Sequence, residues 1–219
     1  MFYVVLEASK RLTSLNGIVT GDVRKVSKEL YNDLDNKDID YVLNCCEKLL
    51  NERKWAFDII AYDWAYRVRK QYNENTFSIF ERWVMEYLTD WYNCDDFCTH
   101  ALGELLCQRN ELFKYIIDWT KSSKFVVRRA AAVVLILPIK RRKYDGLQPF
   151  LISDSLMLDE HYLVLKGYGW MLKVLSQVKP EKVIEYLNKN RNNMPRIAFR
   201  YALEKFDKET KLKLMQDIK

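Results

Sequence analysis

The stretches KFVVRRAAAV (residues 124–133) and HYLVLKGYGW (residues 161–170) have the same order of aromatic, valine and cationic residues. They align at an offset of 37 residues, which places Arg129 opposite Lys166. Apolar residues recur in both at the three- and four-residue spacing of an α-helix, so the spacing predicts one helix in each stretch. Two helices with the same pattern at a fixed offset indicate that the chain is built from repeats.

The aligned position can be followed along the chain in both directions. It is held by Asp95, 34 residues before Arg129, and by Arg200, 34 residues after Lys166. A period of roughly 34 to 40 residues with two helices per unit is typical of a HEAT-like helical-repeat solenoid, in which each unit buries its apolar face against its neighbours. The linkers are short and no domain boundary is visible, so we expect a single HEAT-like repeat domain over residues 1–219.

Composition also favours an all-α fold. The 219 residues include only 6 Gly and 4 Pro, fewer than a sheet protein of this size needs for its turns. Aromatic residues make up 14% of the sequence, so most of them must serve packing. We expect packing or surface roles for four of the tryptophans, Trp55, Trp64, Trp83 and Trp119.

Charge is divided unevenly between the two halves of the chain. Residues 121–219 hold 21 Lys and Arg against 10 Asp and Glu, whereas residues 1–120 hold 15 against 20. This asymmetry favours a polyanionic partner for the C-terminal half, with a merely solvated basic surface as the alternative. The loop cluster KRRK (residues 140–143) is a further candidate for phosphate contact or for simple solvation.

No targeting or membrane segment is expected. The N-terminal MFYVVLEASKR lacks the basic region of a secretory signal, and no run approaches 18 apolar residues. Five cysteines without a CxxC pair indicate reduced thiols and a cytoplasmic protein. Cys94 and Cys98 with His100 are a weak candidate for a metal site because no further ligand pair lies nearby. We expect no metal, no cofactor and a monomer.

Asp95 is the one carboxylate in a row whose other members are Arg129, Lys166 and Arg200. Equivalent positions on stacked helices form a line along one face, and a line of cations can follow a phosphate backbone. A carboxylate there would repel phosphate. It therefore either pairs with Arg129 as a structural contact or is present for chemistry.

The stretch WYNCDDF (residues 91–97) surrounds this carboxylate. In a helix, Trp91 and Asp95 are four residues apart and share a face, so the indole and the carboxylate are presented together. Asp96 points to another face and is expected to be a surface or capping residue. The sequence thus places one Trp–carboxylate pair on the basic row.

Several segments, in order along roughly residues 15–206, resemble the HEAT-repeat DNA alkylation repair family, the AlkD-like glycosylases. The matching segments are GIVTGDVRK (17–25), WYNCDD (91–96), FVVRRAAAVV (125–134), LKGYGWMLK (165–173) and PRIAFRYALEKF (195–206). Trp91 and Asp95 fall on the family's W-D-x-x-D segment and Arg129 on its RRAA helix. Trp170 falls on the KAIGW helix, and Arg200 matches in the C-terminal helix.

The resemblance implies a C-shaped all-α solenoid that cups duplex DNA. It implies hydrolysis of the N-glycosidic bond of cationic N3- or N7-alkylated purines, with the deoxyribose of the lesion held against a Trp–Asp–Trp cleft and the base not enclosed. The residues it implies for the chemistry are Asp95, Trp91, Trp170 and Arg129. Those it implies for DNA binding are Lys166, Lys173, Arg200 and Arg128.

The sequence departs from the family pattern in two places. Tyr92 stands where the motif usually has Asp, and only about sixteen residues precede Gly17, where the family usually has two helices. We therefore expect one helix fewer and a weak grip on DNA. The alternative function is a non-catalytic solenoid that binds nucleic acid or protein, and the alternative role of Trp170 is to fill space opened by Gly167 and Gly169.

Overall fold

The computed structural model describes residues 3–13 and 18–216, and these residues form α-helices and two short 3-10 segments without a strand. The helices are α1 Tyr3–Thr13, α2 Thr20–Asn32, α3 Ile39–Asn51, α4 Trp55–Arg67, α5 Thr76–Glu86, α6 Trp91–Thr99, α7 Ala101–Gln108, α8 Phe113–Trp119, α9 Phe125–Val133, α10 Ile136–Lys140, α11 Pro149–Leu156, α12 Tyr162–Leu175, α13 Pro180–Lys189, α14 Arg196–Leu203 and α15 Lys208–Met215. The predicted all-α fold is confirmed. Gly17, the predicted start of GIVTGDVRK, lies outside the described residues.

The chain packs as two compact units, residues 1–105 and residues 106–219, with the boundary inside α7. Each unit has its own buried apolar core. The prediction of one repeat domain over residues 1–219 stays a prediction.

The first unit is organised around α4, which packs against α2, α3 and α6. Its side chains are buried nearly all round, including Ile60 and Trp64, so this helix is the core of the unit rather than a surface helix. The Trp64 indole donates to the Ser27 carbonyl oxygen at 3.0 Å, which satisfies its one polar group and joins α4 to α2. The helix α6 packs directly against α4.

The second unit is organised around α12, which packs against α9 and α14 and also contacts α10, α11 and α13. The helices α9, α12 and α14 carry the aligned segments of the sequence repeat. Their succession within the unit confirms that the repeat seen in the sequence is a repeat of packed helices.

The predicted roles of the four tryptophans are confirmed. Trp64, Trp83 and Trp119 are buried, and Trp55 is a surface residue that is 40% exposed. Among the helices in the described ranges, none is long and apolar enough to cross a bilayer.

Candidate functional site

The helix α6 begins at Trp91 because Asp90 caps it. Asp90 has an extended backbone, and its carboxylate accepts a hydrogen bond from the Trp91 amide at 2.6 Å. The Asn93 side-chain oxygen accepts a hydrogen bond from the Asp90 amide at 3.2 Å, which completes a capping box. This reciprocal cap fixes the first turn of the helix that carries the predicted site.

Trp91 and Asp95 lie one turn apart on α6, as the spacing predicted. Trp91 is 49% exposed and Asp95 is half-buried. Tyr92, in place of the family's Asp, is exposed and meets the Trp91 ring edge to face at a centroid distance of 6.5 Å. The indole is therefore open to a ligand, with a carboxylate one turn further along.

Asp96 is neither a surface residue nor a cap, and that expectation was wrong. Its Oδ1 accepts a hydrogen bond from Arg24 Nη2 and lies 3.2 Å from His100 Nδ1. The hydrogen bond from His100 to Asp96 raises the pKa of His100 above its ordinary value, against the opposing effect of burial. The residue that caps α6 is Asp90.

A buried carboxyl group, Asp58 on α4, lies behind the start of α6. Asn93 Nδ2 is 3.4 Å from Asp58 Oδ2, so the residue that closes the capping box also contacts the core. Burial raises the pKa of Asp58 to about 7, although the Asn93 hydrogen bond opposes the shift. The position of α6 is thereby connected to a group that titrates near neutral pH.

Arg129 is buried in the second unit, on α9. Its Nη1 donates to the Leu163 carbonyl oxygen in the first turn of α12. The side chain passes over Gly167, where a methyl group would lie 3.2 Å from Arg129 Cγ and 3.4 Å from Nη1. The absence of a side chain at residue 167 thus makes room for the arginine.

The second glycine of α12 has a different neighbour. A methyl group at Gly169 would lie 2.8 Å from the Ala198 carbonyl oxygen and 2.8 Å from Tyr201 Cβ, both on α14. The space beside the glycines is occupied by Arg129 on one side and by α14 on the other. Trp170 itself is half-buried, and its alternative role of filling space beside the glycines stays a prediction.

The three predicted cations of the row lie on the packed helices α9, α12 and α14, at different depths. Arg129 is buried, Lys166 is half-buried and Arg200 is exposed. Lys166 Nζ lies 5.1 Å from the centroid of the Tyr162 ring and 5.9 Å from that of Tyr201. Asp95 belongs to the first unit and Arg129 to the second, and the pairing of their side chains stays a prediction.

The two other predicted DNA-binding cations have protein partners. Arg128 makes two hydrogen bonds to the Asp159 carboxylate, at 2.5 and 3.1 Å, and two to backbone carbonyl oxygens. Lys173 pairs with Glu204. Arg200, by contrast, lines a surface groove of about 450 Å³ together with Arg196 and Tyr201. Arg200 is therefore the exposed cation of the row, and its groove on α14 is also lined by the carboxylate Glu204.

Two further candidates from the sequence have clear positions. The KRRK cluster is exposed at the end of α10 and in the turn after it. Cys94 and Cys98 are buried, and His100 is in contact with Asp96. Within residues 3–13 and 18–216, no three His, Cys, Asp or Glu side chains form a group that could hold a metal ion.

Sequence reasoning missed the side chains that hold the site in place. Asp58, Arg24 and Gly167 were not predicted to support Trp91, Asp95 or Arg129. Their contacts join residues 35, 72 and 38 positions apart, so helical spacing carries no signal for them. Two signals were available: Arg24 lies in the GIVTGDVRK segment that resembles the family, and residue 167 is Gly where the family motif has Ala.

Comparisons with known proteins bear on the family and the fold of this chain. The family model described as DNA alkylation repair enzyme matches residues 10–206. A solved structure, "Predicted DNA alkylation repair enzyme from Enterococcus faecalis", is similar with a TM-score of 0.69 at 14% identity, over 94% of this chain and 95% of that one. No curated protein is significantly similar in sequence. The fold is thus shared with that structure, and the family match over most of the chain shows that the protein belongs to the DNA alkylation repair enzyme family.

Proposed function

We propose that the protein is a DNA glycosylase that hydrolyses the N-glycosidic bond of cationic N3- and N7-alkylated purines in duplex DNA without enclosing the base. The observation that carries the proposal is the Trp91–Asp95 pair, an open indole and a half-buried carboxylate on consecutive turns of a helix with a fixed start. Membership of the DNA alkylation repair enzyme family supports DNA as the substrate class.

The chemistry needs one carboxylate because the leaving group is already activated. A purine alkylated at N3 or N7 carries a positive charge and departs as a neutral base, taking the electron pair of the bond to C1′. The sugar then develops oxocarbenium character, which the carboxylate of Asp95 would stabilise. The same carboxylate would orient a water molecule and take its proton as the oxygen bonds to C1′.

Aromatic and cationic side chains would supply the remaining interactions. The π face of Trp91 would contact the sugar and its developing charge, contributing roughly 0.5–2 kcal/mol when desolvated, and the family resemblance implies a similar role for Trp170. Lys166 and Arg200 would hold phosphates along the strand, and Arg129 the phosphate beside the lesion. Burial of Arg129 makes its role dependent on how its side chain is held by α12.

A second function, a binding module without catalysis, is favoured by two observations. Arg128 and Lys173 are engaged by Asp159 and Glu204, which leaves fewer exposed cations for DNA than the sequence predicted. Tyr92 also replaces an acidic residue of the family motif. This function predicts salt-dependent DNA binding without any release of base.

The deciding experiment incubates the pure protein with a methylated duplex and measures released base. Release of N3- or N7-methylpurine above the spontaneous rate is the expected result. Duplex binding without release would favour the binding module. The absence of both duplex binding and release would contradict the glycosylase and would leave the binding module with a protein partner only.

A further inference from the structure

The two adjacent carboxylates of α6 face different neighbours. Successive residues of a helix are about 100° apart, so Asp96 cannot share the face of Trp91 and Asp95. Its side chain is only 15% exposed, and Oδ1 makes its contacts with Arg24 and His100. The other oxygen, Oδ2, is buried without a hydrogen-bond partner among the described residues. The direction of this carboxylate is therefore set by Oδ1.

The partner of Asp96 belongs to a charged network that crosses three helices of the first unit. Arg24 on α2 donates to Asp96 on α6, and its Nη1 lies 3.9 Å from Asp63 on α4. Asp63 is itself held by Ser27 Oγ at 2.5 Å and Arg67 Nε at 2.8 Å. Arg24 thus connects α6 to a carboxylate that is fixed on the central helix.

The second partner, His100, closes the network at the other end of α6. Its Nδ1 donates to the Asp96 carbonyl oxygen at 2.8 Å, so the ring is attached to both the main chain and the side chain of Asp96. The ring also meets Tyr66 of α4 edge to face. The last turn of α6 is therefore joined to α4 next to the Arg24 contact.

A short helix needs such contacts if its side chains are to be placed accurately. The nine residues of α6 make about two and a half turns, and a side-chain tip lies about 5–6 Å from the helix axis. Rotation by about 10° would move that tip by about 1 Å. Displacement of a reacting group by about 1 Å can lower a rate about 100-fold. The rotation of α6 is thus a quantity on which the chemistry would depend.

We propose that Arg24 and Asp96 are positioning residues that fix the rotation of α6 and so direct Trp91 and Asp95 toward the substrate. This inference rests on the proposed function for its effect on rate. It assigns the two neighbouring aspartates separate tasks, since Asp95 would act on the sugar and Asp96 would hold the helix. An ordinary stabilising ion pair would instead affect unfolding alone.

The test measures single-turnover base release, duplex affinity and thermal unfolding for Arg24→Gln, Asp96→Asn and the double variant. We expect each single variant to release base about 10- to 100-fold more slowly at temperatures where it is folded. Affinity for the duplex should change less than about twofold. The double variant should be no slower than the slower single variant, because both substitutions break one contact.

The control is Asp33→Asn, which breaks the Arg11–Asp33 ion pair between α1 and α2 of the same unit. It should leave the rate of base release unchanged. Folded Arg24→Gln and Asp96→Asn proteins with the wild-type rate would overturn the proposal. Where a variant does not fold, Arg24→Lys keeps the charge and loses the guanidinium geometry, and the same comparison is made with it.

A second readout does not depend on catalysis. The protein is labelled with 5-fluorotryptophan, and the Trp91 ¹⁹F resonance is assigned with Trp91→Phe. Asp96→Asn should shift this resonance and Asp33→Asn should not. An unshifted resonance in a folded Asp96→Asn protein would overturn the positioning role. Failure of the wild type to release base would contradict the proposed function alone, and the resonance would still decide whether Asp96 positions α6.

Discussion

The helix that carries the candidate carboxylate and the helices that carry the candidate cations are held in different ways. Polar contacts hold α6, through the capping box, the Asp58–Asn93 contact and the Arg24–Asp96 pair. Close packing holds α12, which meets Arg129 at Gly167 and α14 at Gly169. The first region should therefore be sensitive to charge and pH, and the second to side-chain volume.

The largest effect is expected for the pH dependence of stability in the first region. The pKa of Asp58 is raised from its ordinary 3.8 to about 7, so the folded protein holds this proton more tightly than the unfolded chain. The resulting stability is present below about pH 4 and is lost as pH rises through about 7. Each unit of pKa shift corresponds to about 1.4 kcal/mol, so the loss is on the order of a few kcal/mol.

Asp58→Asn should remove this dependence. The amide keeps an oxygen to accept from Asn93 and has no charge to bury. Urea unfolding should show a variant more stable than the wild type at pH 8, and the difference should vanish near pH 4. A residual decline above about pH 6.5 is expected from His100, whose pKa is also raised. Parallel stability curves for the two proteins would contradict the assignment.

The next effect concerns volume in the second region. Gly169→Ala places a methyl group 2.8 Å from the backbone of α14, and overpacking of this kind costs about 1–3 kcal/mol. The higher helix propensity of Ala relative to Gly offsets up to about 1 kcal/mol of this destabilisation. We expect net destabilisation, seen as a lower midpoint in thermal unfolding.

Gly21→Ala is the matched control, since nothing lies within 4 Å of a methyl group at residue 21. It should be neutral or stabilising. Equal effects of the two substitutions would show that contact between α12 and α14 is not what requires Gly169.

A smaller effect on stability and a specific effect on function are expected at Gly167. A methyl group there meets the flexible Arg129 side chain rather than backbone, so the arginine must shift away from the Leu163 carbonyl oxygen. Gly167→Ala should keep the unfolding midpoint within a few degrees and slow base release, by about 10-fold. In an Arg129→Ala background the same substitution should no longer slow release. An equal slowing in both backgrounds would contradict the connection between Gly167 and Arg129.

The sequence could predict features that depend on local spacing. The neighbours of Gly167 and Gly169 lie on other helices and could not be predicted in this way. The repeat predicted the helices, their order and the row from Arg129 to Arg200, because periodicity is a local property. The Trp91–Asp95 pair followed from the same spacing. Arg128 was predicted to bind DNA, and the structure shows it paired with Asp159. The sequence could not show this pairing, because neighbouring basic residues of a helix are distinguished only by the partners that folding brings to them.

The smallest expected effects are those of single cations of the row on DNA binding. Log affinity for a duplex should fall with log salt, and Arg200→Ala and Lys166→Ala should each make the slope shallower by about 0.9 for a lost phosphate contact. Lys173→Ala should leave the slope unchanged, because Lys173 is paired with Glu204. A salt-independent affinity would indicate a partner other than DNA.

The central claim, that the carboxylate on α6 performs the chemistry, is tested most directly by Asp95→Asn in the base-release assay. The variant should fold and bind a methylated duplex at least as well as the wild type, since it loses a charge that repels phosphate. Release of N3- or N7-methylpurine should fall about 100-fold or more, the scale for removal of a positioned electrostatic group. Undiminished release by Asp95→Asn, above all if accompanied by lower stability, would contradict the claim and assign Asp95 a structural role.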